Sequence, residues 1–165
     1  MREIVSFTGE FHFLSNFFPH RIEYEGIVYP SSEHAYQAAK TLDPELRQKI
    51  AEMKTPAKAK RGGKILPLRP DWEQKKFKIM YEICSIKFRD ADLREKLKRT
   101  RPAELIEGNT WHDNIWGVCT CRKCPGAGRN LLGKVLMEIR NNIILTDLWN
   151  DPDHLKELAD LQRLR

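Results

Sequence analysis

The sequence lacks a long apolar run. Among its 165 residues, no stretch approaches the roughly 18 consecutive apolar residues of a membrane-spanning helix. Its first residues also lack the basic region followed by an apolar segment that marks a signal peptide. Internal repeats, linkers and low-complexity segments are absent as well. We therefore expect one soluble, cytosolic domain over residues 1–165, long enough to bury a core, with no membrane partner.

The sequence is also poor in cysteine, with four residues. Three of them, Cys119, Cys121 and Cys124, lie within six residues, which does not suit the disulfide framework of a secreted protein. With His112 or Cys84 as a fourth ligand they could form a tetrahedral zinc site, although the C-x-C-x-x-C spacing lacks the paired C-x-x-C knuckles of zinc ribbons. The three cysteines are therefore weak zinc candidates, and no cofactor is predicted.

Charge of one sign is in excess. The net charge is +6 and the isoelectric point is near 9.2. The basic residues cluster in KTPAKAKRGGK (residues 54–64) and REKLKRTR (residues 94–101). Such patches suit a polyanion, although basic runs are more often simply solvated.

Local patterns predict a mostly helical chain with a few short strands. The predicted strands lie in residues 3–9, in a hairpin over residues 21–30 that turns at Glu25 and Gly26, and in residues 103–109. The predicted helices lie in residues 30–40, 43–53, 55–63, 90–100 and from residue 130, with a long core helix after Asp71 and a last helix from near Asp151. Residues 110–130, which follow the last predicted strand and lead into the helix from residue 130, show neither helical nor strand periodicity.

The helix PSSEHAYQAAK (residues 30–40) separates two kinds of side chain. At 100° per residue, Glu33, Tyr36, Gln37 and Lys40 share one sector, and alanines occupy the opposite side. Ser31 or Ser32 is the expected N-cap. Either the alanines pack closely against a neighbour and the polar face is solvated, or the polar face lines a cleft where its groups do chemistry.

The loop of residues 110–130 carries two tryptophans, a histidine and an aspartate. Loops of this length inside a compact domain are generally functional or disordered, and Trp111 and Trp116 argue against disorder. The indoles could stack on a nucleobase or could cap the core.

The loop ends in GAGRN (residues 126–130), where free backbone N–H groups and the positive end of the next helix could hold a phosphate. In this segment Asn130 could cap the helix or bond a ribose hydroxyl.

Three segments resemble one family: FLSNFFP, SSEHAYQAAK, and WHDNIWG followed by GAGRNLLGKVLMEIR. Their order and spacing over residues 13–140 are similar to those of the NADAR, or YbiA-like, family. The resemblance implies a small, predominantly helical α+β fold and N-glycosidase chemistry on ADP-ribosylated guanine or on ribosylamine phosphates of riboflavin synthesis. The cysteine-containing VCTCRKCP departs from the family pattern, which runs more directly from WG to the glycine turn.

The resemblance also implies the site residues. Glu33 and Lys40 match the polar pair of the motif helix, and Lys40 is expected to form an imine with the ribose anomeric carbon. With Asp113 they make the predicted catalytic set, in which Glu33 is a general acid, a general base or a hydrogen-bond partner to ribose. The predicted ligand-binding residues are Asn16, Tyr36, Trp111, Trp116, Gly117, Gly126, Gly128 and Asn130.

The sequence thus predicts an N-glycosidase that removes ADP-ribose from guanine in DNA, RNA or a nucleotide. The alternatives are a glycosidase for phosphorylated ribosylamine metabolites and a non-catalytic module that binds ADP-ribose or nucleic acid.

Overall fold

The computed structural model describes residues 2–124, 126–153 and 155–156. Its helices are α1 (Ser32–Ala38), α2 (Pro44–Ala51), α3 (Pro56–Gly62), α4 (Trp72–Lys87), α5 (Ala91–Arg99) and α6 (Leu131–Trp149), with a 3-10 helix at Gly9–Leu14. Its strands are β1 (Glu3–Ile4), β2 (Ile22–Tyr24), β3 (Ile27–Tyr29), β4 (Glu104–Leu105), β5 (Gly108–Asn109) and β6 (Val118–Cys119). The predominantly helical α+β prediction is confirmed. In the described part of the chain, no helix combines the length and apolarity that crossing a membrane requires.

The strands form three separate pairs. β2 and β3 make the predicted antiparallel hairpin, whereas β1 pairs with β4 and β5 pairs with β6 in parallel. The strand predicted over residues 3–9 ends early, at Ile4, and a 3-10 helix begins at Gly9, which has φ +56°. The strand predicted over residues 103–109 becomes two short strands with different partners. The helix predicted from near Asp151 begins at residue 152, and residues 154 and 157–165 lie outside the described part of the chain.

The predicted helix starts agree with the capping chemistry. Ser31 caps α1 by accepting a hydrogen bond from the backbone N–H of residue 34. Asp43 and Thr55 cap α2 and α3 in the same way, and Pro44 and Pro56 occupy the first helical positions. A side-chain oxygen there satisfies an N–H that has no partner within the helix, and proline has no N–H to lose. These boundaries follow from local sequence alone.

The hydrophobic core lies between α1, α4 and α6. α4 contributes buried Met80 and Cys84, and α6 contributes Leu132, Leu136 and Ile139. α1 packs against α2, α3, α4 and the hairpin, and each of its seven residues is buried.

The alanine face of α1 explains how its neighbours come so close. Ala35 and Ala38 are fully buried, and small side chains let adjacent helices approach. The opposite face is buried too, because Glu33 is only 6% exposed and Gln37 only 4%. The reading of a solvated polar face is therefore wrong, and these polar groups need partners inside the protein.

Candidate active site

A pocket of about 520 Å³ opens beside α1. This volume lies within the range of small-molecule sites. The pocket brings together segments that are far apart in sequence: the N-terminal loop, α1 and the turn after it, α3, α4 and the loop after β4. Its polar lining includes Asn16, Glu33, Tyr36, Gln37, Lys40, Lys60, Glu73, Lys76, Glu107 and Asp113, and its aromatic lining includes Phe7, Phe17, Trp72, Trp111 and Trp116.

Glu33 lies on the buried face of α1. Its carboxyl group accepts a hydrogen bond of 2.7 Å from the side-chain amide of Gln37. Burial raises the pKa of Glu33 above its ordinary value, and the Gln37 hydrogen bond together with the charges of Lys60 and Lys40 offsets part of that shift. A raised pKa increases the protonated fraction of a carboxyl group at a given pH, and the protonated form can pass its proton to a reacting atom.

Lys40 lies in the turn that follows α1. The sequence placed it on the same helical face as Glu33, but the helix ends at Ala38 and the hydrogen bond from the Lys40 N–H goes to Gln37, three residues back. The side chain nevertheless lines the pocket, and its Nζ lies 5.9 Å from the centroid of the Trp72 ring. Both predicted catalytic residues of this motif therefore reach one cavity.

The environment of Lys40 favours a neutral amine. Burial lowers its pKa, and the nearby cations Lys60 and Lys64 lower it further, against the opposing charge of Glu33. Only the unprotonated amine is a nucleophile, so a lowered pKa increases the reactive fraction near neutral pH.

Glu107 is a pocket residue that the sequence reasoning missed. It follows β4, and burial, reinforced by the negative charge of Asp113, raises its pKa to about 7. Its position is fixed through its backbone N–H, which donates to the side chain of Asn130. Nothing in the local pattern LIEG marks this glutamate, because its burial and its approach to Glu33 depend on how remote parts of the chain pack together.

Asp113, which the sequence predicts to be catalytic, lines the pocket and also organises its own loop. Its Oδ1 accepts hydrogen bonds from the N–H groups of Ile115 and Trp116, at 3.2 and 2.9 Å. The amide of Asn109 donates to the Asp113 carbonyl and accepts from the N–H groups of Trp111 and Asp113. One carboxylate oxygen therefore shapes the loop.

The two predicted tryptophans have different surroundings. Trp116 packs edge-on against Tyr36 at 5.5 Å between ring centroids and contacts Phe77 at 5.4 Å, so it seals the pocket against the core. Trp111 is 59% exposed at the pocket, with the Lys60 ammonium 5.5 Å from its ring centroid. Of these two, Trp111 presents a face on which a base can stack.

Asn16 and Tyr36, which the sequence predicts to bind ligand, line the pocket. The amide of Asn16 donates to the sulfur of Met80 and accepts from the thiol of Cys84, and its backbone carbonyl accepts from the N–H of Glu33. Cys84 is thus engaged inside the core, away from the other three cysteines.

The predicted phosphate site at GAGRN lacks the free backbone N–H groups on which it depended. The N–H groups of Gly126 and Ala127 donate to Cys119 and Cys124, and those of residues 129–132 donate to the carbonyls of residues 114–117. The preceding loop folds back over the start of α6, so backbone carbonyls already occupy the positive end of this helix.

The predicted glycines Gly117, Gly126 and Gly128 are not among the residues that line the pocket. They serve the loop instead. A Cβ on Gly117 would lie 2.3 Å from the Glu107 carbonyl oxygen, and a Cβ on Gly128 would lie 2.1 Å from the Gly117 carbonyl oxygen. These two glycines let backbone segments touch, and no ligand is required to explain them.

Asn130 makes no side-chain capping bond at the start of α6, and its side chain has two backbone partners instead. Its Nδ2 donates to the Leu105 carbonyl at 2.8 Å, and its Oδ1 accepts from the N–H of Glu107 at 3.1 Å. It adopts φ +50°, a left-handed conformation that asparagine tolerates better than most residues. Asn130 therefore ties the segment bearing Glu107 to the start of α6.

The two basic clusters differ in charge balance. In residues 94–101, Arg94 and Lys98 pair with Asp147, and Lys96 pairs with Asp92. Among the residues that the structure describes, no ion pair involves residues 54–64, and Lys60 from this cluster lines the pocket. The basic cluster of residues 54–64, which contains α3 and is called the α3 cluster below, therefore keeps its positive charge beside the cavity.

The three clustered cysteines lie in the loop between Asp113 and α6, with His112 beside them. None of these four residues lines the pocket. The two residues that flank His112 in sequence, Trp111 and Asp113, both line it.

Comparisons with known proteins give a consistent result. The family model of the NADAR domain matches residues 5–144. The chain is 36% identical over 143 residues to the N-glycosidase YbiA of Escherichia coli, covering 85% of this chain and 86% of that protein. It is 35% identical over 134 residues to a riboflavin biosynthesis protein of Vibrio vulnificus, covering 79% of this chain and 35% of that protein. The NMR structure of E. coli YbiA superposes with a TM-score of 0.76 at 35% identity, covering 90% of this chain and 89% of that one.

Proposed function

This chain belongs to the NADAR family, and we propose that it is an N-glycosidase that removes ADP-ribose from a guanine base in nucleic acid or a nucleotide. The observation that carries the proposal is the meeting of Lys40, Glu33 and Glu107 in one pocket. Burial lowers the pKa of the lysine and raises the pKa of both carboxyl groups. An amine able to attack and carboxyl groups able to donate protons are what cleavage of an N-glycosidic bond requires.

Lys40 is the nucleophile in this proposal. Its neutral amine attacks the anomeric carbon of the ribose, and a new C–N bond forms as the bond to the base breaks. The attacking nitrogen then gives up a proton, the bond from the anomeric carbon to the ring oxygen breaks as that oxygen takes up a proton, and the opened sugar is held as an imine to Lys40. Water adds to the imine, the bond to Lys40 breaks, and ADP-ribose leaves while the free amine is restored.

The two carboxyl groups divide the proton transfers. Glu107, with a pKa near 7, is protonated in a large fraction of molecules at neutral pH and donates to the departing base. Glu33 exchanges a proton with Lys40 and then with the attacking water. Its position suits this role, because Glu33 lies on α1 and Lys40 lies in the turn that follows this helix. Asp113, with one oxygen committed to its loop, supplies negative charge against the developing positive charge of the sugar.

Recognition of the ADP-ribose portion follows from the pocket rim. The exposed ring of Trp111 offers a stacking surface for a purine. The Lys60 ammonium lies over both Phe17 and Trp111, at 5.8 and 5.5 Å from their ring centroids, and supplies the charge for a phosphate. The other cations of the α3 cluster extend this positive surface outward, where a nucleic-acid strand would continue.

The test is hydrolysis of ADP-ribosylated guanosine, supplied free and within an oligonucleotide, followed by mass spectrometry. We expect release of ADP-ribose and, with borohydride present, a reduced adduct on Lys40. Lys40→Ala should abolish adduct and turnover together. Lys49→Ala removes an exposed cation of α2 that does not line the pocket and serves as the matched control. Full turnover by Lys40→Ala would rule out the imine and leave the hydrolysis claim intact.

A second candidate substrate is a phosphorylated ribosylamine intermediate of riboflavin synthesis, for which the name of the Vibrio vulnificus relative is the specific support. It needs the same attack on an anomeric carbon and one phosphate contact, which Lys60 could supply. A polynucleotide substrate predicts a steep loss of binding as salt concentration rises, whereas a small metabolite predicts a shallow one. Turnover of neither substrate, with ADP-ribose still bound, would favour the non-catalytic module.

A further inference from the structure

The side chains of His112, Cys119, Cys121 and Cys124 converge on one point. Their four potential ligand atoms all lie within 4.8 Å of one another. The Nδ1 of His112 lies 3.2 Å from the Cys124 sulfur, 3.5 Å from the Cys121 sulfur and 3.9 Å from the Cys119 sulfur. The sulfurs of Cys121 and Cys124 are 3.4 Å apart.

These separations match the edges of a tetrahedral zinc site. With Zn–S bonds of about 2.3 Å and Zn–N bonds of about 2.0–2.1 Å, tetrahedral geometry places two sulfurs about 3.8 Å apart and a sulfur and a nitrogen about 3.6 Å apart. Four of the six distances between ligand atoms, from 3.2 to 3.9 Å, scatter around those values, and the other two are within 4.8 Å. The ligand atoms therefore already surround a space that fits one zinc ion.

Other uses of three cysteines fit less well. All four cysteines of the chain are free, and the Cys121 and Cys124 sulfurs are well beyond the roughly 2.05 Å of a disulfide bond. An iron–sulfur cluster holds its cysteines around several iron atoms, which spaces their sulfurs more widely than around a single ion. Three sulfurs and one imidazole nitrogen form a recognised set for structural zinc.

The surrounding backbone supports the same assignment. The N–H of Lys123 donates to the Cys121 sulfur at 3.3 Å, and such a bond stabilises a thiolate. The N–H of Gly126 donates to the Cys119 carbonyl, and that of Cys124 donates to the Cys121 carbonyl, so the ligands sit in a closed turn. His112 adopts φ +66°, an unusual conformation that directs its ring toward the sulfurs.

We propose that His112, Cys119, Cys121 and Cys124 bind one zinc ion, which holds the loop between β5 and α6 in place. Four protein ligands complete a tetrahedron and leave no position for a substrate, so the ion is structural. The sequence reasoning left the fourth ligand open between His112 and Cys84, and the fold selects His112 because Cys84 is buried in α4 beside Asn16.

The consequence for the pocket lies in the neighbours of His112. Trp111 precedes it and Asp113 follows it, and both line the cavity. Fixing His112 to the cysteines fixes the path of these two residues from one side, while Asn109 holds them from the other. The cysteine-containing segment thus anchors a loop that carries pocket residues.

The test is metal analysis of the full-length protein after expression with added zinc and extensive dialysis. We expect about one zinc ion per chain. Cobalt(II) added to metal-stripped protein should give the visible absorption of a tetrahedral site with thiolate charge-transfer bands. Cys121→Ser and Cys124→Ser should each lower zinc content and remove those bands, whereas Cys84→Ala, outside the cluster, should retain both.

The cobalt titration of unmutated protein keeps the test decisive if a variant fails to fold. Absence of zinc after expression in its presence, together with octahedral cobalt spectra or none, would overturn the proposal. Retention of zinc by both serine variants would overturn the ligand assignment. Neither measurement uses a glycosidase substrate, so the result stands whatever the enzyme assay gives.

Discussion

The side-chain amide of Gln37 donates a hydrogen bond of 2.7 Å to the carboxyl group of Glu33, one helical turn earlier in α1. Both residues are almost completely buried. On the other side of Gln37 lies Gly63, at the end of α3, where an added Cβ would stand 1.9 Å from the Gln37 amide oxygen and 2.8 Å from its Cβ. The orientation of Glu33 therefore depends on an empty space at Gly63.

Gly63→Ala should lower activity without unfolding the protein. The new methyl group displaces Gln37, because the contact to its Cβ prevents relief by rotation of the amide alone, and Glu33 loses its hydrogen-bond partner. We expect kcat to fall by about ten- to a hundredfold, the scale of a displaced catalytic group. Kinetics alongside circular dichroism would check this.

Gly62→Ala is the matched control. A Cβ there would meet the terminal methyl of Met53, whose flexible side chain can move aside. It should leave kcat near that of the unmodified protein. Equal kcat values for the two variants would show that the Gln37 contact does not matter for the reaction.

Glu107→Gln should change the pH profile of the reaction. Glu107 is protonated below about pH 7 and loses its proton above it, so a role as proton donor predicts falling activity as pH rises through 7. In the glutamine variant kcat should fall by about 10²- to 10⁴-fold, and the decline of activity above pH 7, the alkaline limb of the profile, should disappear. Glu104→Gln, at an exposed glutamate of β4, should leave the profile unchanged. An alkaline limb that persists in Glu107→Gln would assign it to another group.

The same substitution should stabilise the fold at alkaline pH. The pKa of Glu107 rises on folding from its ordinary value of 4.5 to about 7. The contribution of this group to stability is therefore full below pH 4.5 and is lost as pH rises to about 7. The lost amount is up to about 3 kcal/mol, reduced to about 1–2 kcal/mol by partial solvent access.

Urea unfolding of the protein and of Glu107→Gln would measure this effect. At pH 8 the variant should be more stable by that amount, and at pH 4 the two should be nearly equal. A variant that is less stable at pH 8 would contradict the raised pKa.

Trp111→Ala should weaken substrate binding more than it slows chemistry. Loss of one base-stacking face costs about 1–3 kcal/mol, which corresponds to a rise in KM of roughly 5- to 150-fold. The value of kcat should change little, since the exposed indole has no group that takes part in the bond-breaking steps. Trp149→Ala, at an equally exposed tryptophan that does not line the pocket, is the control. Unchanged KM in Trp111→Ala would place the base elsewhere.

Local chemistry made several features predictable from sequence. Ser31, Asp43 and Thr55 cap their helices because a side-chain oxygen beside an unpaired N–H acts within one turn of chain. The hairpin turns at Glu25 and Gly26 because both residues adopt positive φ. The motif residues Glu33, Lys40, Trp111 and Asp113 were likewise identified from the sequence, and the fold brings them to one pocket.

Several predictions failed because they depended on contacts between distant segments. The free N–H groups expected at GAGRN are bonded to carbonyls of the preceding loop, and Asn130 is bonded to β4 and Glu107. Lys40 leaves the helix, which a periodicity of 100° per residue does not reveal. No local pattern indicated either the fold-back of the loop or the end of the helix.

The sequence by itself determined where the helices start, the hairpin, the family and the residue types available for chemistry. The tertiary structure decided which of them meet: that Glu107 joins Glu33 and Lys40, that Lys60 faces Trp111, and that His112 joins the cysteines in place of Cys84. The reason is physical. A pKa and a ligand set depend on burial and on distances of a few ångströms between groups, and both are fixed only when remote parts of the chain pack together.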